Sequence, residues 1–345
     1  MKILGIESSC DETAAAIVED GANILSNVVV SQIDIHAEYG GVIPEIAARS
    51  HIEAINPVLN KAFKDANLTI DDIDTIAVTH TPGLVGSLLA GTLAARTLAI
   101  LHDKPFYPTH HLKSHIYANW LSGYQPEFPL LAAVISGGHT QIIYMERHDH
   151  FEIIGTTRDD AIGECFDKVA KILDLPYPGG PAIANAAQSG NAKRYHLPIP
   201  KVDGLDFSFS GLKTAVLRTV QKELNLPITT PSYELQKLIS QQQITDFAAS
   251  FQATAVDILV KKLKTASETH PAKSILLAGG VSANQLLRNE ITKNFSKTHQ
   301  VFFPEPKFST DNGAMVASAA YYSIQSDEQA TDPYKLDISP RSTIR

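Results

Sequence analysis

The clearest pattern in the chain is an apolar run, a short polar turn and a second apolar run, and it occurs twice. Near the start, residues 3–6 and 14–18 are apolar and enclose a polar stretch at residues 7–13. Further on, residues 131–135 and 142–144 enclose a turn with the sequence Ser-Gly-Gly-His-Thr. Apolar runs of strand length on both sides of a turn predict β-hairpins. Because both halves show this layout, we predict two duplicated lobes.

A second repeated unit is a strand followed by a glycine-rich loop and a helix. The first copy covers residues 74–101, with its loop at residues 81–87. The second copy begins at residue 274, has its loop at residues 279–284 and continues into a helix from Gln285. Such a loop directs the positive end of a helix at an anion. The alternation of strands and helices predicts an α/β fold in which helices cover a mixed sheet.

Proline, glycine and polar residues predict where other elements begin and end. Pro44 starts a helix that reaches about residue 63, with a kink or break at Pro57. Thr109 is the predicted N-cap of a helix that carries His110, His111 and His115. A Tyr-Pro-Gly-Gly-Pro sequence at residues 177–181 predicts a break before the next helix, and the tail after Asp327 is expected to be loosely ordered.

The two glycines of the second hairpin turn, Gly137 and Gly138, allow two interpretations. Glycine permits positive φ angles and close approach, so bare main-chain N–H groups can bind a phosphate there. A tight hairpin also uses glycine for its geometry alone. The turn by itself does not decide between them.

Composition restricts the class of protein and its partners. A length of 345 residues suits two lobes, and 44% hydrophobic with 19% charged residues describes a soluble globular protein. No apolar run is long enough for a membrane span, and the chain enters a predicted strand directly, so we expect a cytoplasmic protein. Two cysteines cannot form a disulfide scaffold. The net charge of -8 argues against binding nucleic acid without a partner.

Two histidines have the spacing of a helical metal site. His111 and His115 are four residues apart, which places both imidazoles on one face of a helix. With 13 histidines in the chain, a pair at this spacing is weak support on its own. A metalloprotease would need Glu where Leu112 stands, which disfavours that class.

Acidic residues elsewhere have more than one interpretation. Asp311 could supply the third ligand, since two histidines and one carboxylate leave open positions on a transition metal. It also precedes a helix at residues 314–320, where capping or dipole compensation is the simplest account. Asp11 and Glu12 could reach into a cleft or lie on the surface. Asp167 could cap a helix, pair with Lys168 or accept a hydrogen bond from a ribose hydroxyl.

Ten motifs taken together resemble the TsaD family, the bacterial and organellar relatives of the Kae and Gcp proteins. The first motif begins at Ile6 and the last ends at Ala317, and they follow the order of the family's blocks. They are IESSCDET, SQIDIHAEYGGVIPEIAARSH, PGLVGSLLAG, HHLKSH, VISGGHT, DDAIGECFDKVAK, YPGGP, FSFSGLKT, AGGVSAN and FSTDNGAMVA.

The resemblance implies an ASKHA fold, the two-lobed architecture of actin, heat-shock chaperone ATPases and sugar kinases around a central cleft. We expect a first lobe at residues 1–125, a second lobe at residues 126–313, and a C-terminal helix and tail at residues 314–345 that pack back toward the first lobe. The implied activity is transfer of a threonylcarbamoyl group from threonylcarbamoyl-AMP to N6 of adenosine 37 in tRNAs that read codons beginning with A.

The resemblance also implies roles for particular residues. The metal ligands match His111, His115 and Asp311, with iron(II) as the first expectation and zinc as a possibility that the ligand set allows. Asp11 or Glu12 is our candidate for the group that accepts the proton of the amine. The expected substrate contacts are Val134, Ile135, Ser136, Gly137, Gly138, His139, Asp167, Gly180 and Asn284. Many members carry Asp where this chain has Ala184, which puts one ribose contact in doubt.

The implied partners are tRNA, the ASKHA-type protein TsaB and the ATPase TsaE, with no membrane. Apolar helices of the first lobe, such as the segment at residues 52–63, are candidates for a partner contact, although core packing is the default explanation for them. The alternative class is an ASKHA-type ATPase or sugar kinase. It would need a magnesium-linked acid near the phosphates and would turn over ATP steadily.

Overall fold

Two five-stranded mixed sheets with the same topology form the framework of the computed structural model, which describes residues 1–344. The strand order is β3-β2-β1-β4-β5 in the first sheet and β10-β9-β6-β7-β8 in the second. In each sheet the first hairpin strand lies at the centre, antiparallel to its hairpin partner and parallel to the strand of the glycine-loop unit. The predicted duplication is therefore confirmed. The strands are β1 (Lys2–Glu7), β2 (Glu12–Glu19), β3 (Asn23–Ser31), β4 (Thr75–Thr81), β5 (Phe106–His110), β6 (Leu130–Ile135), β7 (Thr140–Arg147), β8 (His150–Thr156), β9 (Ser274–Ala278) and β10 (Gln300–Phe302).

Helices cover the sheets, which explains why the central strands are apolar throughout rather than alternating. Every residue of β6 and β9 is buried. The helices are α1 (Ile33–Ala37), α2 (Pro44–Ala66), α3 (Val85–Leu101), α4 (His111–Tyr117), α5 (Ile162–Ile172), α6 (Gly179–Ala187), α7 (Ser210–Glu223), α8 (Ser232–Leu235), α9 (Gln241–Thr269), α10 (Gln285–Phe295), α11 (Pro306–Ser309) and α12 (Gly313–Gln325). Short 3-10 turns lie at Ile70–Asp72, Trp120–Ser122 and Gly280–Ala283.

The helices α4 and α12 connect the two sheets. Helix α12 packs on β1 and β2 of the first sheet and on α4, and α4 in turn packs on β6 and β9 of the second. The approach of α12 to β1 is so close that a Cβ on Gly5 would lie 2.2 Å from the carbonyl oxygen of Gly313. Only glycine fits there, and this contact fixes where the segment before α12 ends. The lobe boundaries along the chain stay a prediction.

Of the kink or break predicted at Pro57, the break is wrong, because α2 runs through this residue from Pro44 to Ala66. The missing proline N–H leaves the carbonyl of Glu53 without its helical partner. Both residues lie on the exposed side of α2, where water can bind that carbonyl. The buried residues on the opposite side, such as Ile55 and Leu59, keep the helix on the sheet.

Three other local predictions also need correction. The N-cap of α4 is His110, whose Nδ1 accepts from the N–H of Leu112, because Thr109 is paired within β5. The glycines at residues 179–180 form the first turn of α6 rather than a break before it. The tail after Asp327 has no helix or strand within the described residues and is mostly exposed, but it is held at particular points: the N–H of Ser339 donates to the carbonyl of His80, and Ile344 is buried. None of the helices within residues 1–344 combines the length and apolarity needed to cross a membrane.

Candidate functional site

A cleft of about 780 Å³ lies between the two sheets and is lined by the turns of both hairpins. The glycine loops after β4 and β9 also reach it, through Gly83 and Gly280. The predicted site residues that line the cleft are Asp11, Glu12, His111, Ser136, Gly137, Gly138, His139, Asp167 and Asp311. The others, which lie outside its wall, are His115, Val134, Ile135, Gly180 and Asn284. The fold thus brings most of the candidates together from distant parts of the chain.

His111, His115 and Asp311 form a compact group at one end of the cleft. The two imidazoles lie on consecutive turns of α4 with ring centroids 4.5 Å apart. Oδ1 of Asp311 is 3.0 Å from Nε2 of His115 and 3.6 Å from Nε2 of His111. One ligand atom from each of the three residues lies within 4.8 Å of the others. Three ligand atoms this close together could hold a single metal ion.

Asp311 does not cap the helix that follows it. The N-cap of α12 is Asn312, whose Oδ1 accepts from the N–H of Met315 at 3.0 Å. The capping interpretation of Asp311 is therefore wrong. Its carboxylate is available to the two histidines instead.

The group fits a divalent metal in its hydrogen bonding as well as its spacing. Both ring nitrogens of His115 are buried, and within residues 1–344 neither makes a hydrogen bond of acceptable geometry. A buried polar atom without a partner is costly, and a metal ligand bond would satisfy Nε2. Two imidazoles and one carboxylate are a donor set that binds iron or zinc.

The pKa values of His111 and Asp311 depend strongly on each other and on their other neighbours. Burial of His111 opposes its protonation, but Asp311 and Glu7 outweigh this effect and raise the His111 pKa to about 9. Burial likewise works against ionisation of Asp311, yet His111 and His115 hold its pKa down to about 2. A metal that binds here must therefore displace a proton from His111.

Glu7 is a residue of this site that the sequence reasoning missed. Its side chain is fully buried at the end of β1, and its Oε2 lies 3.2 Å from Nδ1 of His111. The same carboxylate accepts hydrogen bonds from the N–H of Ser9 and the hydroxyl of Thr79, both at 2.6 Å. The signal in the sequence was a glutamate directly after the apolar run of a central strand.

The turn at Gly137 and Gly138 leaves its main-chain N–H groups free toward the cleft. The turn is closed by the N–H of Ser136, which donates to the carbonyl of His139 at 2.9 Å. Within the described residues, the N–H groups of Gly137 and Gly138 donate to no other group. A Cβ at either glycine would meet nothing within 4 Å. The space in front of the turn is therefore available to a ligand.

Neighbouring glycines have a different purpose, because they hold other segments against this turn. A Cβ on Gly163, in the first turn of α5, would lie 2.6 Å from the carbonyl oxygen of Ser136. Gly279, at φ +84°, would place a Cβ 2.6 Å from the carbonyl oxygen of Ile135. These close approaches hold the N-terminus of α5 and the loop after β9 against the second hairpin turn.

Asp167 and Asn284 are partly engaged within the protein. Oδ1 of Asp167 accepts from the N–H of Gly179 at 2.7 Å, which fastens the start of α6 beside the cleft, and burial raises its pKa. Asn284 caps α10 through Leu287 and donates to Gln252 at 3.0 Å. Gly180, in contrast, has open space around its Cα.

The two acids of the first hairpin turn face the same cleft. Burial, followed by the charges of Asp311 and Asp11, raises the pKa of Glu12 to about 10. His139, across the cleft, has its pKa lowered to about 4, first by burial and then by His111 and His115.

The repeated topology and the cleft between the lobes define the class. Two solved structures resemble the chain at 13% sequence identity each and therefore support the fold alone. HypF from T. kodakarensis has a TM-score of 0.63, and the match covers 94% of this chain and 48% of that one. An activator of 2-hydroxyisocaproyl-CoA dehydratase from Clostridium difficile has a TM-score of 0.52, and the match covers 95% of this chain and 96% of that one. The chain has the ASKHA fold, as the resemblance implied.

Sequence comparison then identifies the family. The TsaD family, described as tRNA N6-adenosine threonylcarbamoyltransferase, matches residues 23–318. A protein of that name from Dehalococcoides mccartyi is 48% identical over 100% of this chain and 99% of its own length. Another from Caldicellulosiruptor bescii is 49% identical over 94% of each chain. The chain belongs to the TsaD family of tRNA N6-adenosine threonylcarbamoyltransferases.

Proposed function

We propose that the cleft transfers a threonylcarbamoyl group from threonylcarbamoyl-AMP to N6 of adenosine 37 in tRNAs that read codons beginning with A. Membership of the family supports the transferase activity. The proposal is supported at the level of residues by one observation: the group of His111, His115 and Asp311 reaches the cleft through His111 and Asp311, and the open glycine turn lines the same cleft.

The donor is a mixed anhydride and is already activated, so the protein needs no covalent intermediate. The N6 amine attacks the carbamoyl carbon, the bond from this carbon to the phosphate oxygen breaks, and AMP leaves with the bonding electrons. The protein's main contribution is to position the two reactants and to stabilise the departing phosphate. We assign the phosphate to the free N–H groups of Gly137 and Gly138 and to the loop at Gly280.

The remaining residues around the cleft have complementary roles. We assign the nucleoside to Asp167, Gly180 and Asn284, beside the hairpin residues 134–139. The amine loses one proton, and Asp11 or Glu12 is the candidate to accept it.

His111, His115 and Asp311 would hold a divalent metal, which supplies Lewis acidity toward the threonylcarbamoyl group when bound. Iron(II) is the metal we expect first, and zinc is the alternative that the donor set allows. Elemental analysis of protein purified without chelators or nickel resin identifies it. One equivalent of iron or zinc, lost in a His111→Ala variant, is the expected result.

The test of the activity is reconstitution with synthetic threonylcarbamoyl-AMP, tRNA and the partner proteins, followed by mass analysis of nucleoside 37. We propose TsaB and TsaE as these partners, since the net charge of -8 disfavours tRNA binding by this chain alone. Steady ATP hydrolysis by the isolated chain, without modification of nucleoside 37, would favour an ATPase or kinase instead.

Replacing His111 with alanine tests the role of the histidine group. We expect His111→Ala to lower transfer by roughly 100-fold or more, because it removes a ligand at the reacting end of the cleft. Circular dichroism should remain that of the folded protein. His102→Ala, at an exposed histidine after α3, is the matched control and should keep full activity. Full transfer by a metal-free His111→Ala protein would contradict the role of the metal.

A further inference from the structure

Glu7 lies behind the histidine group and not in the cleft itself. It is 0% exposed, and its carboxylate is 3.2 Å from Nδ1 of His111, on the opposite side of the imidazole from Asp311. The two residues are 104 positions apart in the chain, so their contact depends on the parallel pairing of β1 with β4 and of β4 with β5, which leads into α4. The imidazole of His111 is therefore held between two carboxylates.

The surroundings of Glu7 assign it the role of hydrogen-bond acceptor on both oxygens. Oε1 accepts from the N–H of Ser9, and Oε2 accepts from the hydroxyl of Thr79. An ionised carboxylate has no proton to donate, so the contact from His111 to Oε2 requires a proton on Nδ1. The neutral ring then carries its lone pair on Nε2, the nitrogen that faces Asp311 and His115.

Ser9 also contacts Nδ1 of His111, at 3.1 Å, but it cannot select the tautomer. A hydroxyl both donates and accepts, so Ser9 adapts to whichever nitrogen carries the proton. Of the two groups, only Glu7 determines which nitrogen of the ring carries the proton.

We propose that Glu7 is a positioning residue that holds the proton of His111 on Nδ1 and so presents the Nε2 lone pair to a divalent metal. This inference rests on the proposed function, because it takes His111 as a metal ligand. Carboxylates in this position behind a ligating histidine orient the ring and raise its basicity. A purely structural role for Glu7, which its bonds to Ser9 and Thr79 would also satisfy, predicts no effect on the metal.

The isosteric variant Glu7→Gln separates these roles. The main-chain N–H of Ser9 can only donate, so the amide oxygen should take the position of Oε1 and accept from it. The NH2 group then takes the position of Oε2, where it would face Nδ1 of His111 and donate to it. This favours the Nε2–H form of His111, in which the lone pair is lost to the site. We expect zinc affinity, measured by competition with a chromophoric chelator, to fall about 10- to 100-fold.

Thr79→Val is the matched control. It removes a buried hydrogen bond to the same carboxylate without touching His111, so zinc affinity should change by no more than a few-fold. Glu7→Asp, which keeps the charge and the acceptor, should recover part of the affinity that Glu7→Gln loses. Equal zinc affinity in Glu7→Gln and in the wild-type protein, with His111→Ala unable to bind zinc, would overturn the inference and leave the proposed metal site intact.

A spectroscopic measurement on the wild-type protein tests the inference and does not depend on whether a variant folds. In metal-free wild-type protein labelled with ¹⁵N-histidine, at a pH alkaline enough for the ring to be neutral, His111 should carry its proton on Nδ1. A proton on Nε2 would overturn the inference. If His111→Ala binds zinc as well as the wild-type protein does, the proposed metal site fails, and the tautomer of His111 still decides whether Glu7 orients the ring.

Discussion

The two polar residues before α12, Asp311 and Asn312, have different roles, although by sequence either could cap the helix. Asn312 takes the N-cap, which an aspartate could also have filled, and Asp311 turns its carboxylate to the histidines of α4. On α4 the same division occurs, since His110 caps the helix while His111 and His115 face Asp311. In both cases one residue caps the helix, and the residue next to it contributes its side chain to the histidine group.

A histidine far from the cleft gives a test of pH dependence. His148 stacks on Tyr322 at 4.4 Å and lies edge-on to Phe128 at 4.7 Å, and burial, followed by the charge of Lys113, lowers its pKa to about 4. Its unfolded pKa is near 6.5, so the unfolded chain binds more protons between pH 6.5 and about 4. The stability that the neutral ring contributes is present above pH 6.5 and is lost as the pH falls through this range.

His148→Phe should therefore reduce the decline in the free energy of unfolding between pH 6.5 and 4, as measured by urea denaturation at several pH values. The aromatic ring is retained, and the Tyr117 hydroxyl keeps the main-chain carbonyl of position 148 as an acceptor. His102→Gln, at an exposed position, should leave the decline unchanged. An identical pH dependence in His148→Phe and the wild-type protein would contradict this account.

At the scale of elements, the glycines around the second hairpin turn are of two kinds. Gly163 and Gly279 are required because other backbone segments approach within the radius of a Cβ, and they position α5 and the loop after β9. A Cβ on Gly137 or Gly138 would meet nothing within 4 Å among the described residues, so packing does not require these two positions to lack side chains. An absence of side chains that the fold does not need is what a main-chain anion site predicts.

Gly138→Ala should therefore separate folding from binding. Its backbone does not adopt a positive φ, so stability to urea should change by less than about 1 kcal/mol. The added methyl group projects into the space assigned to the adenylate, and we expect the KM for threonylcarbamoyl-AMP to rise at least tenfold. Gly211→Ala, at an open position on α7, is the control and should leave the KM unchanged. An unchanged KM in Gly138→Ala would argue against phosphate binding by this turn.

At the scale of the whole molecule, the site depends on how α4 and α12 cross between the two sheets. The metal-ligand candidates lie on α4 and just before α12, so the distances within the histidine group follow from the packing of these helices. Arg288 adds a connection, because its guanidinium donates to the carbonyls of Ser282 and Pro304 and so links the loop after β9 to the segment that leads to Asp311.

Gly5→Ala tests the dependence of the site on this packing. The new Cβ would lie 2.2 Å from the carbonyl oxygen of Gly313 and 2.6 Å from the N–H nitrogen of Ala317, so α12 must move. We expect a loss of more than about 3 kcal/mol in the free energy of unfolding, together with weaker zinc binding. Gly211→Ala again provides the control, with stability unchanged or raised. Wild-type stability in Gly5→Ala would contradict the close contact between α12 and β1.

Much of the local structure could be predicted from the sequence, because it depends on neighbours in the chain. The two hairpins, the two strand, glycine-loop and helix units, and the common face of His111 and His115 follow from apolar runs, glycine positions and helical spacing. The errors at Pro57, at the N-cap of α4 and in the tail have one cause. Contacts with the rest of the fold outweigh the local preference of a single residue or a short segment.

The sequence by itself determined the elements, their duplication and, through its family motifs, the family to which the chain belongs. Only the tertiary structure decided that Asp311 faces the histidines rather than a helix end and that Glu7 lies behind His111. It also decided that the turn at Gly137 and Gly138 and the glycine loops after β4 and β9 open into one cleft. These are contacts between residues far apart in the chain, and no pattern of neighbours encodes their distances. They arise because two sheets and the helices between them must bury their apolar faces together, which fixes where each strand and helix ends.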